Sequence, residues 1–315
     1  MEGPFDPEMY TKPFQLTKTM HREPYDDILP SIPENSQQGK IIVITGAYGG
    51  IGSAAASVWA QAGASVVLTG RNEEKLAEAE QKVKDVATNS NSTATILSIP
   101  VDVTKEADVQ NLFKKIQEVF GRPADILINN AGPTGAIGPS AQVPWDGFAE
   151  VVNAHFLGAA LMARFFINSQ PTPTDPVGTI IYITSTMAGL MVPNFAAYAI
   201  SKLAGQRFTE YLDAEYPRLR AFTLSPGITG TGMTNEFFRP FAKDDVRMVG
   251  MMALYLVNER AYFLKGGFVN VNWDNREMEE NREEIKEKKL VKLGWISAQL
   301  GEGGHPFGTS GIWEH

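Results

Sequence analysis

From residue 40 onward, short apolar runs alternate with stretches whose apolar positions recur at helical spacing. Runs at 41–45, 65–69, 95–100, 125–129, 179–184, 220–224 and 267–271 have the length and character of strands. The intervening periodicity predicts helices over 53–62, 73–88, 107–120, 146–168, 196–215 and 244–258. Strands that alternate with helices in this way predict an α/β fold, a doubly wound parallel sheet of about seven strands with helices on both faces. Ligands of such a sheet bind outside the carboxyl ends of its strands.

Three segments fall outside the alternation. Residues 1–38 are rich in Pro and aromatics, lack periodicity, and are expected to wrap the surface of the domain. Residues 170–177 contain Pro171, Pro173 and Pro176 and read as a surface insertion longer than a helix-to-strand connection needs. Residues 275–315 begin with a Glu/Lys/Arg-dense helix candidate at 276–292 and turn Gly-rich at 301–304. That pattern suggests a solvated helix and an arm docked on a neighbouring subunit or on the rim of the site. The expected organisation is therefore an extension (1–38), one α/β domain (39–274) and a charged helix with tail (275–315), which 315 residues accommodate without a second full domain.

Composition narrows the partners. A net charge of -8 argues against nucleic acid and anionic membranes, and a small molecule is the expected partner. Cysteine is absent, which excludes disulfides and thiolate catalysis. Four histidines without ligand spacing give no reason to expect a metal site. No signal-like N-terminus and no apolar stretch of roughly 20 residues are apparent, so a soluble, cytoplasmic protein is expected.

The chemistry sits at the predicted strand ends. Thr45-Gly46-Ala47-Tyr48-Gly49-Gly50-Ile51-Gly52 follows the first strand and opens an Ala-rich helix. Its glycines let backbone approach a pyrophosphate, and the helix N-terminus offers free N–H groups. Tyr198 and Lys202, at i and i+4, share one helix face, so the ammonium can favour the ionised phenol and tune it as an acid. Ser185 lies thirteen residues upstream in the hydroxyl cluster 184–186, where a turn role is the alternative.

Taken with Asp102-Val103, Asn129-Asn130-Ala131-Gly132 and Pro226-Gly227 in the same order, these motifs resemble the short-chain dehydrogenase/reductase family of the standard single-domain kind. The resemblance covers about residues 39–274 and implies a Rossmann fold and NAD(P)-dependent hydride transfer. By that resemblance Gly46, Tyr48, Gly50, Ile51 and Gly52 cradle the cofactor phosphates, and Asp102 and Val103 meet the adenine. Asn130 and Gly132 lie by the ribose, and Pro226, Gly227, Ile228 and Thr231 lie around the carboxamide and pyrophosphate. Ser185 would hydrogen-bond the substrate carbonyl and Tyr198 would donate the proton. Lys202 would hold the ribose and lower the phenol pKa. A cap near Thr104 is the alternative reading of Asp102, and turn chemistry that of the Asn pair.

Two positions depart from the family pattern. The second strand ends Thr69-Gly70-Arg71 without the acidic residue that binds the ribose 2′-hydroxyl in NAD-preferring members. Arg71 could pair with a 2′-phosphate, so NADP(H) is expected. Arg71 as an ordinary cap before the next helix is the alternative. Gly49, where many NADP-preferring members carry a basic residue, leaves NAD(H) use open. In the helix that usually supplies a catalytic Asn, alignment on Gly158 brings His155 to that position, which would make turnover sensitive to pH near neutrality. Asn153 in a shifted register, or a merely packed His155, are the alternatives.

Pro133, Thr134, Trp145, Met187, Leu190, Phe195, Phe237 and Phe238 are candidate substrate neighbours, and their apolar character suggests a bulky hydrophobic ketone or alcohol. The resemblance also implies a homodimer or homotetramer, joined through the helices bearing Gly158 and Lys202, where Ala159, Ala160 and Ala163 permit close approach, with ordinary sheet packing as the alternative role of those small residues. The style of both extensions resembles fungal members associated with secondary metabolism. Two other classes compete with a carbonyl reductase: a redox-neutral isomerase, cyclase or lyase that binds the cofactor, and a non-catalytic nucleotide-sensing or scaffold protein.

Overall fold

The computed structural model describes residues 6–294 apart from 91 and 233, so the Gly-rich part of the tail lies outside the described residues. Seven strands form one parallel sheet: β1 (Ile41–Thr45), β2 (Ser65–Gly70), β3 (Ile96–Pro100), β4 (Ile126–Asn129), β5 (Gly178–Ile183), β6 (Leu219–Ser225) and β7 (Phe268–Asn270). Their order is β3-β2-β1-β4-β5-β6-β7, with Val43 opposite Val67 on one side and Leu127 on the other. The order reverses between β1 and β4, which opens a crevice at their carboxyl ends.

Alternation along the strands feeds two cores. Ile42 and Ile44 join the cluster under α1 (Gly50–Gln61), α2 (Glu73–Asn89) and α7 (Met248–Leu256). Ile41 and Val43 join the opposite cluster under α3 (Glu106–Phe120), α5 (Ala159–Asn168) and α6 (Ala196–Glu215). Successive side chains of a strand point to opposite faces, so continuous apolar runs are what a sheet covered on both sides requires. The expected doubly wound α/β fold is the observed one.

Five expectations need correction. The predicted helix over 146–168 is not uniform: α4 (Trp145–Val152) passes through a π-helical stretch, Asn153–Gly158, before α5 begins. The whole stretch Trp145–Asn168 is 24 residues long and, by length and composition, apolar enough to cross a membrane, contrary to the sequence reading. In the fold, its Met162, Ala163 and Phe166 pack against the sheet and neighbouring helices.

The helix expected over 244–258 starts only at Met248. Residue 244 is drawn into a bridge with Thr229, and its N–H donates to the Ile228 carbonyl, which competes with helical pairing. The charged helix expected at 276–292 breaks at Asn281 into α8 (Asn275–Glu280) and α9 (Arg282–Glu287), whose buried residues include Met278 and Ile285. Finally, residues 6–38 do more than wrap the surface, since Ile28 is fully buried in the main core.

Candidate active site

The glycine turn between β1 and α1 is built from backbone packed on backbone. A Cβ on Gly52 would overlap the Gly46 carbonyl oxygen and come within 2.9 Å of both Ala47 Cα and Asn130 Nδ2. One on Gly50 would lie 2.6 Å from Thr231 Cγ2, so the loop after β6 closes directly over the start of α1. Asn130 secures the turn from β4: its Nδ2 donates to the Thr45 carbonyl at 2.9 Å and to that of Gly46 at 3.3 Å. Thr45 Oγ1 in turn accepts from the Asn130 and Ala131 N–H groups, both at 2.9 Å.

A cavity of about 680 Å³ runs from this turn across the carboxyl ends of the strands. Gly46, Tyr48, Gly50, Ile51, Arg71, Asp102, Val103, Asn130, Gly132, Gly227, Ile228 and Thr231 line it, and so do His155, Ser185, Tyr198 and Lys202. Gly52 is buried behind the wall and Pro226 is not on it. Of the substrate-side candidates, Pro133, Thr134, Met187, Leu190, Phe195 and Phe238 line the cavity. Trp145 and Phe237 do not; Trp145 is exposed and stacks on Phe148.

At the end of β2 the Tyr48 ring occupies the side-chain position, because a Cβ on Gly70 would come within 2.7 Å of Tyr48 Cδ1 and the ring would have to move. The Tyr48 ring thus covers the position at which an acid would face the ribose. Arg71 beside it is largely exposed, and its one ion pair among the described residues, with exposed Glu150 at 3.5 Å, is worth little. Asn72, not Arg71, caps α2, its side chain accepting from the Lys75 N–H. Asp102 accepts from the Thr104 N–H at 3.0 Å and hydroxyl at 2.7 Å, a local turn ahead of α3 rather than its cap, since Lys105 is the N-cap of that helix, and Asp102 lines the cavity wall.

Ser185 likewise has two partners. Its oxygen accepts from the Met187 N–H at 3.2 Å and hydrogen-bonds the Tyr198 hydroxyl. Burial raises the Tyr198 pKa, opposed by the Ser185 hydrogen bond, which corrects the expectation that a neighbouring ammonium lowers it. The reason lies in Lys202. Its Nζ sits 5.6 Å from the Tyr198 ring centroid and donates to the Ile183 carbonyl at 2.8 Å, and burial pushes its own pKa down to about 7. Near neutrality it is therefore only partly an ammonium.

His155 is buried with its ring edge-on to Tyr198, the centroids 5.3 Å apart, and its Nδ1 lies 3.0 Å from Ser201 Oγ. Burial first and Lys202 second hold its pKa well below the usual imidazole range, while a hydrogen bond with the Gly132 backbone opposes them. His155 therefore stays neutral through pH 7, and the expected sensitivity near neutrality shifts to Lys202. Asn153 also lines the cavity, although α-helical geometry would turn it away by about 200°. Across the π stretch the two still differ, Asn153 exposed and His155 buried, although both border the cavity.

The depressed Lys202 pKa has a consequence for stability. Between pH 7 and 10.5 the unfolded chain holds a proton that the folded state has released, so stability rises with pH, by up to about 1.4 kcal/mol per unit. Lys202→Met is expected to lose this slope and to be more stable than the parent at pH 7. Urea unfolding between pH 7 and 9 reads the difference below the range where the raised pKa values of Tyr182 and Tyr255 reverse the trend. Parallel slopes in the two proteins would exclude a lysine that loses its charge on folding.

Sequence reasoning missed several cavity residues, among them Tyr10, Val192 and Asn235. No local signal marks them, since each reaches the site through the tertiary arrangement of an irregular segment.

The family profile described as short chain dehydrogenase matches residues 40–240. The short chain dehydrogenase pigC of Monascus ruber is 28% identical over 304 residues, covering 94% of this chain and 96% of that protein. Among solved structures, a short-chain type dehydrogenase/reductase from Mycobacterium ulcerans superposes with a TM-score of 0.68 at 25% identity, over 77% of this chain and 91% of the other. A xylitol dehydrogenase solved with NAD+ bound gives 0.66 at 26% identity, over 75% and 98%.

Proposed function

The chain belongs to the short-chain dehydrogenase/reductase family of NAD(P)-dependent enzymes, and from that premise we propose that it reduces the ketone of a bulky, mainly apolar small molecule with NADPH, or oxidises the corresponding alcohol. The observation that carries this reading is one continuous cavity joining the glycine turn to Ser185, Tyr198 and Lys202. The turn fits a dinucleotide pyrophosphate because side chains are sterically excluded at Gly50 and Gly52, so the backbone and the N-terminus of α1 stay accessible to phosphate. When bound, NADPH supplies the hydride.

The chain's own groups supply the rest. Gly46, Gly50, Ile51 and Thr231 hold the pyrophosphate, with Gly52 packed behind them, and Asp102 and Val103 hold the adenine. Asn130, Gly132 and Lys202 hold the nicotinamide ribose, and Gly227 and Ile228, following Pro226, flank the carboxamide. Ser185 donates to the carbonyl oxygen and Tyr198 delivers its proton there, so charge developing on that oxygen meets two oriented donors. The raised phenol pKa keeps the proton on Tyr198 before reaction. His155 packs edge-on against the Tyr198 ring and holds its own ring in place through Ser201 Oγ, which positions the phenol. The Leu190, Phe195 and Phe238 side chains exclude water around the substrate.

The preference for NADPH rests on Arg71, whose exposed guanidinium stands beside the ribose end of the cavity where Tyr48 has closed the space for an acid. The test uses NADPH deuterated at the transferable C4 position, with an extract of source cells as substrate, and mass spectrometry of the products. A deuterated alcohol is expected. A new product without deuterium, formed with the cofactor unoxidised, would instead indicate redox-neutral catalysis. In fluorescence titrations with each cofactor, Arg71→Ala is expected to weaken NADPH binding by about tenfold to a hundredfold, the loss of a charge-assisted phosphate contact, and to leave NADH binding unchanged. Equal loss for both cofactors would remove Arg71 from the 2′-phosphate.

A further inference from the structure

The substrate end of the cavity has a wall that the α/β domain does not supply. Tyr10, in the N-terminal extension, lines the cavity. Its ring packs edge-on against Phe238 and Phe241, at centroid distances of 5.3 and 4.9 Å, and Phe238 in turn packs on Phe195 at 5.6 Å. Tyr10, Phe195 and Phe238 thus form an aromatic face on the side of the cavity that also holds Met187 and Leu190.

This segment is tied down at several points. Arg22 bridges Glu8 and Asp244, and its Nη1 lies 2.7 Å from an Asp244 carboxylate that is fully buried. The same carboxylate accepts from the Ile228 N–H at 2.5 Å and from Asn272 Nδ2 at 2.7 Å, so one side chain joins the extension, the loop after β6 and the segment after β7. Further back, Trp273 Nε1 donates to the Phe14 carbonyl at 2.6 Å, and His21 meets Asp274 at 2.8 Å. Buried charge-assisted bonds of this kind hold geometry, because removing one partner strands the other.

We propose that residues 6–22 are a fixed wall of the substrate site and that Tyr10 selects ketones bearing an aromatic ring over saturated ketones of the same size. The inference rests on the ketone-reductase reading of the site and names its substrate class. An aromatic guest gains edge-to-face contacts with Tyr10 and Phe238 that a saturated guest of equal area lacks.

The test measures binding, which does not require turnover. Protein saturated with NADP+ is titrated calorimetrically with 2-acetylnaphthalene and with its fully saturated analogue, in the parent, Tyr10→Ala and Tyr10→Phe. The parent is expected to bind the aromatic ketone about tenfold tighter, the sum of two such contacts. Tyr10→Ala should reduce the preference to about threefold, since Phe238 remains, and Tyr10→Phe should keep it. NADP+ affinity should be the same in all three, which also reports that the variants are folded. An undiminished preference in Tyr10→Ala, no preference in the parent, or binding of neither ketone would overturn the proposal. NADPH oxidation by the same ketones separates the two readings. Aromatic preference without oxidation rejects the reductase and keeps the wall, whereas reduction of both ketones with equal affinity does the reverse.

Discussion

Tyr198→Phe is expected to lower turnover by about a thousandfold while leaving NADPH affinity within about twofold of the parent. The change removes one oxygen, whose hydrogen-bond partner is Ser185, and Ser185 keeps its second bond to the Met187 N–H. The fold should therefore lose only about 1 kcal/mol, the usual net worth of one such bond. Steady-state NADPH oxidation and fluorescence titration of NADPH with each protein make the measurement. Retention of more than about a tenth of parental turnover would remove Tyr198 from the proton-donor role. His155→Asn in the same assay supplies the contrast: it touches the reacting oxygen only through Tyr198, so a smaller loss, about tenfold to a hundredfold, is expected, again with cofactor affinity intact. The two variants together distinguish the group that gives up the proton from the group that holds it in place.

The parts of this site that could be read from the sequence are those whose geometry is local. Tyr198 and Lys202 sit one helical turn apart, and the turn from Thr45 to Gly52 sits between a strand and a helix, so their spacing carries their relation. The strands were legible for a similar reason. Burial on both faces writes a continuous apolar run, and Ile41–Thr45 has no exposed position to interrupt it.

What escaped depends on contacts across long separations or on a local break in periodicity. The π stretch at Asn153–Gly158 keeps an apolar composition that also suits an α-helix, so nothing in its residues announces that Asn153 and His155 will both border the cavity. Tyr10 looks like any residue of an irregular extension until Phe238 is brought against it. Asp244 reads as an ordinary residue of a helical stretch until Arg22, Ile228 and Asn272 converge on it. The Tyr198 pKa was misjudged because spacing shows that a lysine is near but not that the lysine is itself buried enough to lose its charge.

Gly52→Ala decides whether the glycine turn is constrained by packing or merely composed of glycine. Gly52 lies in the first turn of α1, and on helix propensity alone an alanine there would stabilise the protein by about 1 kcal/mol. Sterics predict the opposite sign. The added Cβ meets the Gly46 carbonyl and Ala47 Cα, which are backbone atoms with no rotamer into which to retreat, and the turn can yield only by separating β1 from α1 or by displacing Asn130. Overpacking of this kind costs about 1–3 kcal/mol, and it falls where the cofactor pyrophosphate must approach the backbone. Urea unfolding should therefore show a loss of about that size, and NADPH titration a loss of affinity greater than about a hundredfold, because a shift of the turn misaligns several phosphate donors together. Gly230→Ala is the matched control: nothing lies within 4 Å of its Cβ, and it should leave both quantities near parental values. A stabilised Gly52→Ala protein that binds NADPH normally would mean that the turn has room for a side chain, and the phosphate cradle would then have to be sought elsewhere along the cavity.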